Sequence, residues 1–203
     1  METFDLTKKY TLEDDSVLLR PLEADDLELL TPFSLNEPEI WKYSLIQAGG
    51  GEAQMKNYIS VALNAKASGK EYPFIVYDKK KNKVAGSTRF YDIQLENKML
   101  QLGYTWYGKE FQGTGLNKHC KFLMLQFAFE IMGMELVEFR ADNNNEKSIA
   151  AMKSIGCTVE GVLRQNVPKP GGGRRDSIIL SILKTEWESS VKENLQKKLS
   201  KIL

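Results

Sequence analysis

The chain has 203 residues, with 28 Lys and Arg against 27 Asp and Glu, and 42% of it is hydrophobic. Such a chain can bury one sizeable core and is not generally disordered, while a net charge of +1 supplies no electrostatic footprint for a nucleic-acid duplex. No run approaches the roughly 20 apolar residues that span a bilayer, and charge punctuates Met1 to Arg20, so a cytoplasmic protein with no signal peptide and no membrane partner is expected. Cys120, Cys157 and His119 are the only residues of their types, so neither a zinc site nor a disulfide framework can be assembled and no metal is expected. His119 and Cys120 are neighbours, but adjacent side chains on a helix point about 100° apart, which disfavours Cys-His nucleophilic chemistry.

In chain order, Ser16 to Arg20 reads as a strand stopped by Pro21, and Asp25-Asp26 opens a short helix through Leu30. Met55, Tyr58, Ile59, Ala62 and Leu63 recur on one helical face, and Gly69 ends that helix. Phe74 to Tyr77, Val84 to Tyr91 and Met99 to Trp106 are rich in β-branched and aromatic residues and separated by short polar turns, which predicts an antiparallel meander. Leu116 to Met132 predicts a helix buried on more than one side by Phe122, Leu123, Leu125, Phe127 and Ile131, closed by Gly133. Leu136 to Phe139 is a short strand, Asn145 caps a helix with a stripe of Ile149, Met152 and Ile155, and Gly156 ends it. Cys157 to Leu163 and Ser177 to Leu183 are strands joined by an exposed, mobile Pro- and Gly-rich loop at Pro168 to Gly173. A capping box of Thr185 and Glu188 opens a last helix, whose Trp187, Val191, Leu195 and Leu199 stripe favours packing on its own domain. No repeat or linker divides the chain, so one domain over 1–203 is expected, with a core of about 16–184 and a helical appendage over about 185–203.

The chemistry is concentrated between Leu102 and Asn117, where a strand leads into Gln112-Gly113-Thr114-Gly115-Leu116-Asn117 and the most buried helix. Glycines before a helix N-terminus let backbone N–H groups converge on an anion, which the helix dipole also favours. Lys118 stands where a Walker A loop needs its second Gly and where a dinucleotide fingerprint needs its third. A glycine turn without any ligand stays open on this segment alone.

The segment resembles motif A of the GNAT superfamily of acyl-CoA-dependent N-acetyltransferases, in which Gln or Arg and two further residues precede Gly, one residue and then Gly or Ala. Gln112 and Gly115 match, and Asn117 replaces the last small residue. Asn145-Glu146-Lys147-Ser148 and the following Ser154-Ile155-Gly156 resemble the family's Asn-x-x-Ser and Leu-Gly-Phe segment. Glu160 to Arg164, Asp176, Glu186-Trp187 and the opening Leu18-Arg20-Pro21 with Asp25-Asp26 resemble the branch that includes the RimJ and RimL N-terminal acetyltransferases of ribosomal proteins. The likeness spans about Leu18 to Trp187.

It implies an α/β fold: a single GNAT-like domain with a mixed, mostly antiparallel central sheet flanked by helices, plus a C-terminal helix. Acetyl-CoA is the implied co-substrate, its pantetheine arm along Tyr104, Thr105 and Trp106 and its pyrophosphate on the backbone of Gln112, Gly113, Thr114, Gly115, Leu116 and Asn117. Asn145 matches the position whose amide holds the CoA arm, although an Asn before a helix is equally explained as an N-cap. Ser148 matches a hydroxyl that protonates the departing thiolate. Many relatives place a catalytic Glu on the strand before motif A, where this chain has Gln101, so Glu96, just upstream, is the candidate weak base. A weak base suits a peptide α-amino acceptor, which is less basic than a lysine side chain by roughly 2.5 pKa units, or about 3.4 kcal/mol of deprotonation. The alternatives are a small-molecule amine, such as an amino sugar or a polyamine with Glu96, Glu110 and Asp176 forming an acidic pocket, and a non-catalytic acyl-CoA-binding module. No nucleic-acid partner is expected, and homodimerisation stays open.

Overall fold

A computed structural model describes residues 4–201. The period-two segments form one eight-stranded sheet in the order β1-β2-β3-β4-β5-β6-β8-β7. Its members are β1 (Leu12–Glu13), β2 (Val17–Pro21), β3 (Tyr72–Asp78), β4 (Lys83–Gln94), β5 (Met99–Tyr107), β6 (Leu136–Asp142), β7 (Thr158–Pro168) and β8 (Arg174–Leu183). Every neighbouring pair is antiparallel except β5 and β6. The meander of β3, β4 and β5 is as the sequence predicts, because each connection is too short for anything but a hairpin.

Side-chain alternation gives each face its own core. Leu100 and Leu102 of β5 and Val137 and Phe139 of β6 lie in a cluster with residues of α3 (Leu116–Gln126) and with Met152 of α4 (Glu146–Ser154). Ile75 and Trp106 lie in a second cluster with Leu30 of α1 (Leu27–Asn36) and Met55, Tyr58 and Ile59 of α2 (Glu52–Ala67). The sheet thus separates an α3/α4 face from an α1/α2 face.

Four expectations are corrected. The first helix begins as a 3-10 turn at Ala24–Asp26 and runs through Pro32 to Asn36; proline removes one N–H, and the bond lost is to the carbonyl of exposed Glu28. Ile131 is 54% exposed, because α3 widens into a π-helical turn at Phe127–Ile131 that rotates it off the core face. β7 and β8 extend to pair Pro168 with Arg174, so the exposed loop is a closed turn in which Lys169 N–H donates to the Gly173 carbonyl (3.0 Å). The C-terminal helix starts at α5 (Lys184–Glu186), where Glu186 Oε2, not Glu188, accepts the hydrogen bond from the Leu183 N–H (2.9 Å).

That helix continues through a π turn at Trp187–Val191 into α6 (Lys192–Leu199). A stripe of every fourth residue drifts on a regular α-helix, and the wider turn reduces the drift. Trp187, Val191 and Leu195 are consequently all buried, with Trp187 stacked 5.6 Å from the Phe129 ring, so the helix packs on its own domain, against α3 and its π turn.

Candidate active site

The parallel pairing of β5 with β6 covers only Met99↔Leu136, Leu100↔Val137 and Gln101↔Glu138. Beyond that point β5 stays paired with β4 as far as Tyr107↔Gly86, and β6 stays paired with β8 as far as Asp142↔Ser177. Two adjacent parallel strands that each follow a different neighbour must splay, leaving β5 backbone from Leu102 onward without a partner on its β6 side. The register shift between Ser87/Arg89 on β4 and Gly103/Trp106 on β5 gives β5 one extra residue, and Tyr104 there adopts φ 47°. This β-bulge bends β5 away from β6.

The two crossover helices begin at the mouth of the splay. At the end of β5, Gly113 (φ 75°) and Gly115 (φ 94°) take left-handed conformations that a β-carbon disfavours, and Gly115 is the N-cap of α3. The turn is braced by Gln112 Nε2 on the Tyr107 carbonyl (2.9 Å) and Thr114 Oγ1 on the Phe111 carbonyl (2.8 Å). A β-carbon on Gly113 would meet no atom within 4 Å, so the turn faces open space. Among the described residues the N–H groups of Gly113, Thr114, Gly115 and Asn117 have no acceptor, whereas Leu116 N–H lies 3.4 Å from Thr114 Oγ1 and Lys118 N–H donates to the Gly115 carbonyl at 2.9 Å; the unpaired groups leave a cradle of donors. Asn117 does not fill it: its Oδ1 accepts from the buried Tyr107 hydroxyl at 3.3 Å.

At the end of β6, Asn145 caps α4, its Oδ1 accepting from Ser148 N–H at 3.2 Å. The cap uses only the amide oxygen, so the Asn145 NH2 group remains for a ligand. Among the described residues Ser148 Oγ has no protein partner, and the residue is half-buried.

The three strand residues singled out from the sequence diverge. Trp106 turns to the α1/α2 core, its Nε1 donating to Tyr58 Oη (3.2 Å). Thr105 turns to α3, where its Oγ1 lies 2.7 Å from Lys121 Nζ and 2.7 Å from Thr88 Oγ1. Tyr104 packs edge-on against Tyr91 at 4.9 Å and over the Arg89 guanidinium at 4.3 Å. Only backbone is therefore common to all three on the splayed side.

Glu96 is not brought to the splay. It lies in the exposed turn that joins β4 to β5, and five residues of strand from Met99 to Tyr104 separate that turn from the bulge by roughly 16 Å. Two other carboxylates flank Gln101 instead. Asp92 Oδ2 accepts from Gln101 Nε2 (2.8 Å), and Glu138, the register partner of Gln101, accepts from Arg140 Nε (2.6 Å). Sequence reading missed both because their approach depends on the register of three strands.

The thiols are spectators: burial pushes Cys120 and Cys157 up to about 12. His119 Nδ1 pairs with Asp14 Oδ2 at 2.6 Å and ties α3 to the β1–β2 turn. Among the described residues no group of three or more His, Cys, Asp or Glu could hold a metal.

Mixed sheet, splayed parallel strands and two helix N-termini at one mouth define an acyltransferase architecture, and comparison with known proteins agrees. Residues 16–158 match the model of the acetyltransferase (GNAT) domain, and the chain belongs to that family. Over 87% of its length it is 25% identical to the uncharacterized N-acetyltransferase p20 of Bacillus licheniformis, covering 98% of that protein. It is 31% identical over 56% of its length to YdaF of Bacillus subtilis (strain 168), which carries a ribosomal N-acetyltransferase name, covering 60% of it. Its fold superimposes on Mycobacterium smegmatis RimJ in complex with CoA-disulfide with a TM-score of 0.78, at 17% identity and covering 94% of this chain and 93% of that one.

Proposed function

We propose that this GNAT acetyltransferase transfers an acetyl group from acetyl-CoA to a peptide α-amino group. The observation that carries the reading is the splay of β5 from β6 beyond Gln101, with the glycine turn of α3 at its mouth. The backbone groups of β5 between Leu102 and Trp106 that face the splay suit a pantetheine arm, itself a chain of two amides, although the Tyr104 carbonyl at the bulge accepts from the Tyr58 hydroxyl at 3.4 Å. Within Gln112 to Asn117, the N–H groups of Gly113, Thr114, Gly115 and Asn117 are unpaired and suit a pyrophosphate, while Gln112 N–H donates to the Lys109 carbonyl; the Asn145 NH2 group is free to hold the arm from the other side. Bound there, acetyl-CoA supplies an activated thioester carbonyl. The amine nitrogen forms the new C–N bond as the C–S bond breaks, the amine proton leaves to water, and Ser148 Oγ relays a proton to the thiolate as it regains one from water, so the hydroxyl is unchanged at the end.

The acceptor follows from the carboxylates. Asp92 already accepts from Gln101 and Glu138 from Arg140, so each carboxylate has a partner within the protein. A protein that needs little help deprotonating its substrate suits an α-amino group. The polyamine alternative loses its support. Glu110 is paired with Lys81 (3.2 Å) and Lys83 (3.4 Å), Asp176 accepts from Gln165 N–H, and Glu96 lies in a distant turn, so the three make no common pocket. Thiol release from acetyl-CoA against a panel of N-terminal peptides, lysine peptides, polyamines and amino sugars tests the reading. Turnover with the first group is expected, and turnover confined to lysine, polyamine or sugar amines would overturn it.

A further inference from the structure

We infer that the acceptor carries a carboxylate close to its reacting amine, and that Arg175 on β8 is the specificity-determining residue that recognises it. The inference rests on the α-amino acetyltransferase reading above and adds the chemical class of the substrate.

Arg175 is only 9% exposed, yet among the described residues it has no carboxylate within ion-pair distance. Its Nε donates to Ser177 Oγ at 3.1 Å and its Nη1 to the Tyr43 carbonyl at 3.3 Å, both neutral acceptors. The other arginines of this face are matched. Arg89 Nη1 bonds Glu71 Oε2 at 2.7 Å, and Arg140 bonds Glu138. Asp142, on the neighbouring strand in register with Ser177, attracts Arg175, but its Oδ1 is committed to Asn144 N–H and Nδ2 at 2.9 and 3.0 Å. The remaining charged or titratable groups acting on Arg175 are Tyr91, Tyr104 and Arg140, none of them a carboxylate. Asp142 thus offsets the charge without forming a direct ion pair, and a buried guanidinium whose direct partners are all neutral can still take a carboxylate.

The geometry puts this cation beside the reaction. Tyr91 packs so closely on Gly103, the residue before the bulge, that a β-carbon there would lie 2.9 Å from its ring. Tyr104 forms the bulge itself and packs against Tyr91. Arg175 is anchored through the Tyr43 carbonyl to the segment between α1 and α2 and, by strand alternation with Ile178 and Leu180, lies on the sheet face opposite α3, where its charge mildly favours ionisation of Tyr91 and Tyr104. Arg89, fully buried between the Tyr58 and Tyr104 rings and paired with Glu71, adds a second positive charge beneath this face. An amine entering over Tyr104 would present its neighbouring groups to Arg175, whose planar fork matches a carboxylate. The carboxylate could belong to an Asp or Glu side chain at the first or second position of a peptide, or to a free α-amino acid.

The test compares isosteres under one assay: peptides beginning Ser-Glu and Ser-Gln, and free glutamate against glutamine amide. The wild-type enzyme should favour the acidic member of at least one pair by about 10-fold or more in kcat/KM, chiefly through KM, a difference of about 1.4 kcal/mol. The pair that discriminates identifies the source of the carboxylate. Arg175→Met should collapse the ratio towards one, while Arg175→Lys, which keeps the charge, retains part of it, and calorimetric CoA binding verifies that both variants are folded. Equal turnover of acid and amide by the wild type would overturn the inference while leaving the acetyltransferase reading intact; absence of turnover with every amine would overturn that reading and the inference with it.

Discussion

Lys121 offers a sharp physical test because it lies where a lysine is least comfortable. It sits on α3 facing the sheet, is 5% exposed, and has hydroxyls for partners: Thr105 Oγ1 at 2.7 Å and Thr88 Oγ1 at 3.4 Å. Burial pushes its ammonium down from 10.5 to about 7, partly offset by the nearby Cys120 and Cys157. A displacement of that size disfavours the charged form by roughly 4–5 kcal/mol. Between about pH 7 and 10.5 the unfolded chain carries a proton on this lysine that the native state lacks, so stability rises with pH across that window, by up to about 1.4 kcal/mol per unit. Below pH 7 both states are protonated and the slope from this group ends. Lys121→Met fills a similar volume and removes the titration, while Thr88 and Thr105 still bond each other at 2.7 Å, so the lost hydrogen bond costs about 1 kcal/mol. The variant should therefore be more stable than wild type by about 3 kcal/mol at pH 7 and by only about 1 kcal/mol at pH 9. Urea unfolding of both proteins at pH 7, 8 and 9 measures the gap. A gap that stays constant with pH would refute the account of Lys121 as a buried amine that sheds its proton.

Ser148→Ala should lower kcat by about 10- to 100-fold, or 1.4 to 2.7 kcal/mol, with CoA affinity nearly unchanged; a full kcat under conditions where product release is not limiting would reassign Ser148 to the first turn of α4 alone. Gly156→Ala should destabilise the protein by about 1–3 kcal/mol, because the residue has φ 103° and an added β-carbon would lie 3.0 and 3.1 Å from the two γ-carbons of Val191. Thermal unfolding reads that change, and an unaltered midpoint would mean that the C-terminal helix is not seated as described.

What the sequence discloses and what it hides follow from the range of the forces involved. The α2 stripe, the meander and the α4 cap are local: Met55, Tyr58 and Ile59 share a face by helical period, and Asn145 reaches Ser148 within one turn. The glycine turn is legible for the same reason, since left-handed backbone at Gly113 and Gly115 is a property of those residues. The bulge is not legible, because Tyr104 at φ 47° belongs to the register of β5 against β4, a pairing between separate segments of the chain. Lys121 and Arg175 carry no local mark of burial, and both are buried by elements far away in the chain. Glu96 is close to Gln101 in sequence but lies in the exposed β4–β5 turn, while Asp92 and Glu138 arrive from neighbouring strands.

The central claim is that the splay and the α3 glycine turn hold an acyl-CoA through its pyrophosphate, and calorimetric titration of CoA addresses it most directly. Wild type should bind CoA and bind pantetheine, which lacks the pyrophosphate, far more weakly. Gly113→Pro forces φ from 75° to about −65°, and Gly115→Val places a branched side chain at φ 94°, so both should lose CoA affinity by at least about 10-fold while staying folded. Unchanged CoA affinity in the folded variants would contradict the placement of the ligand on this turn.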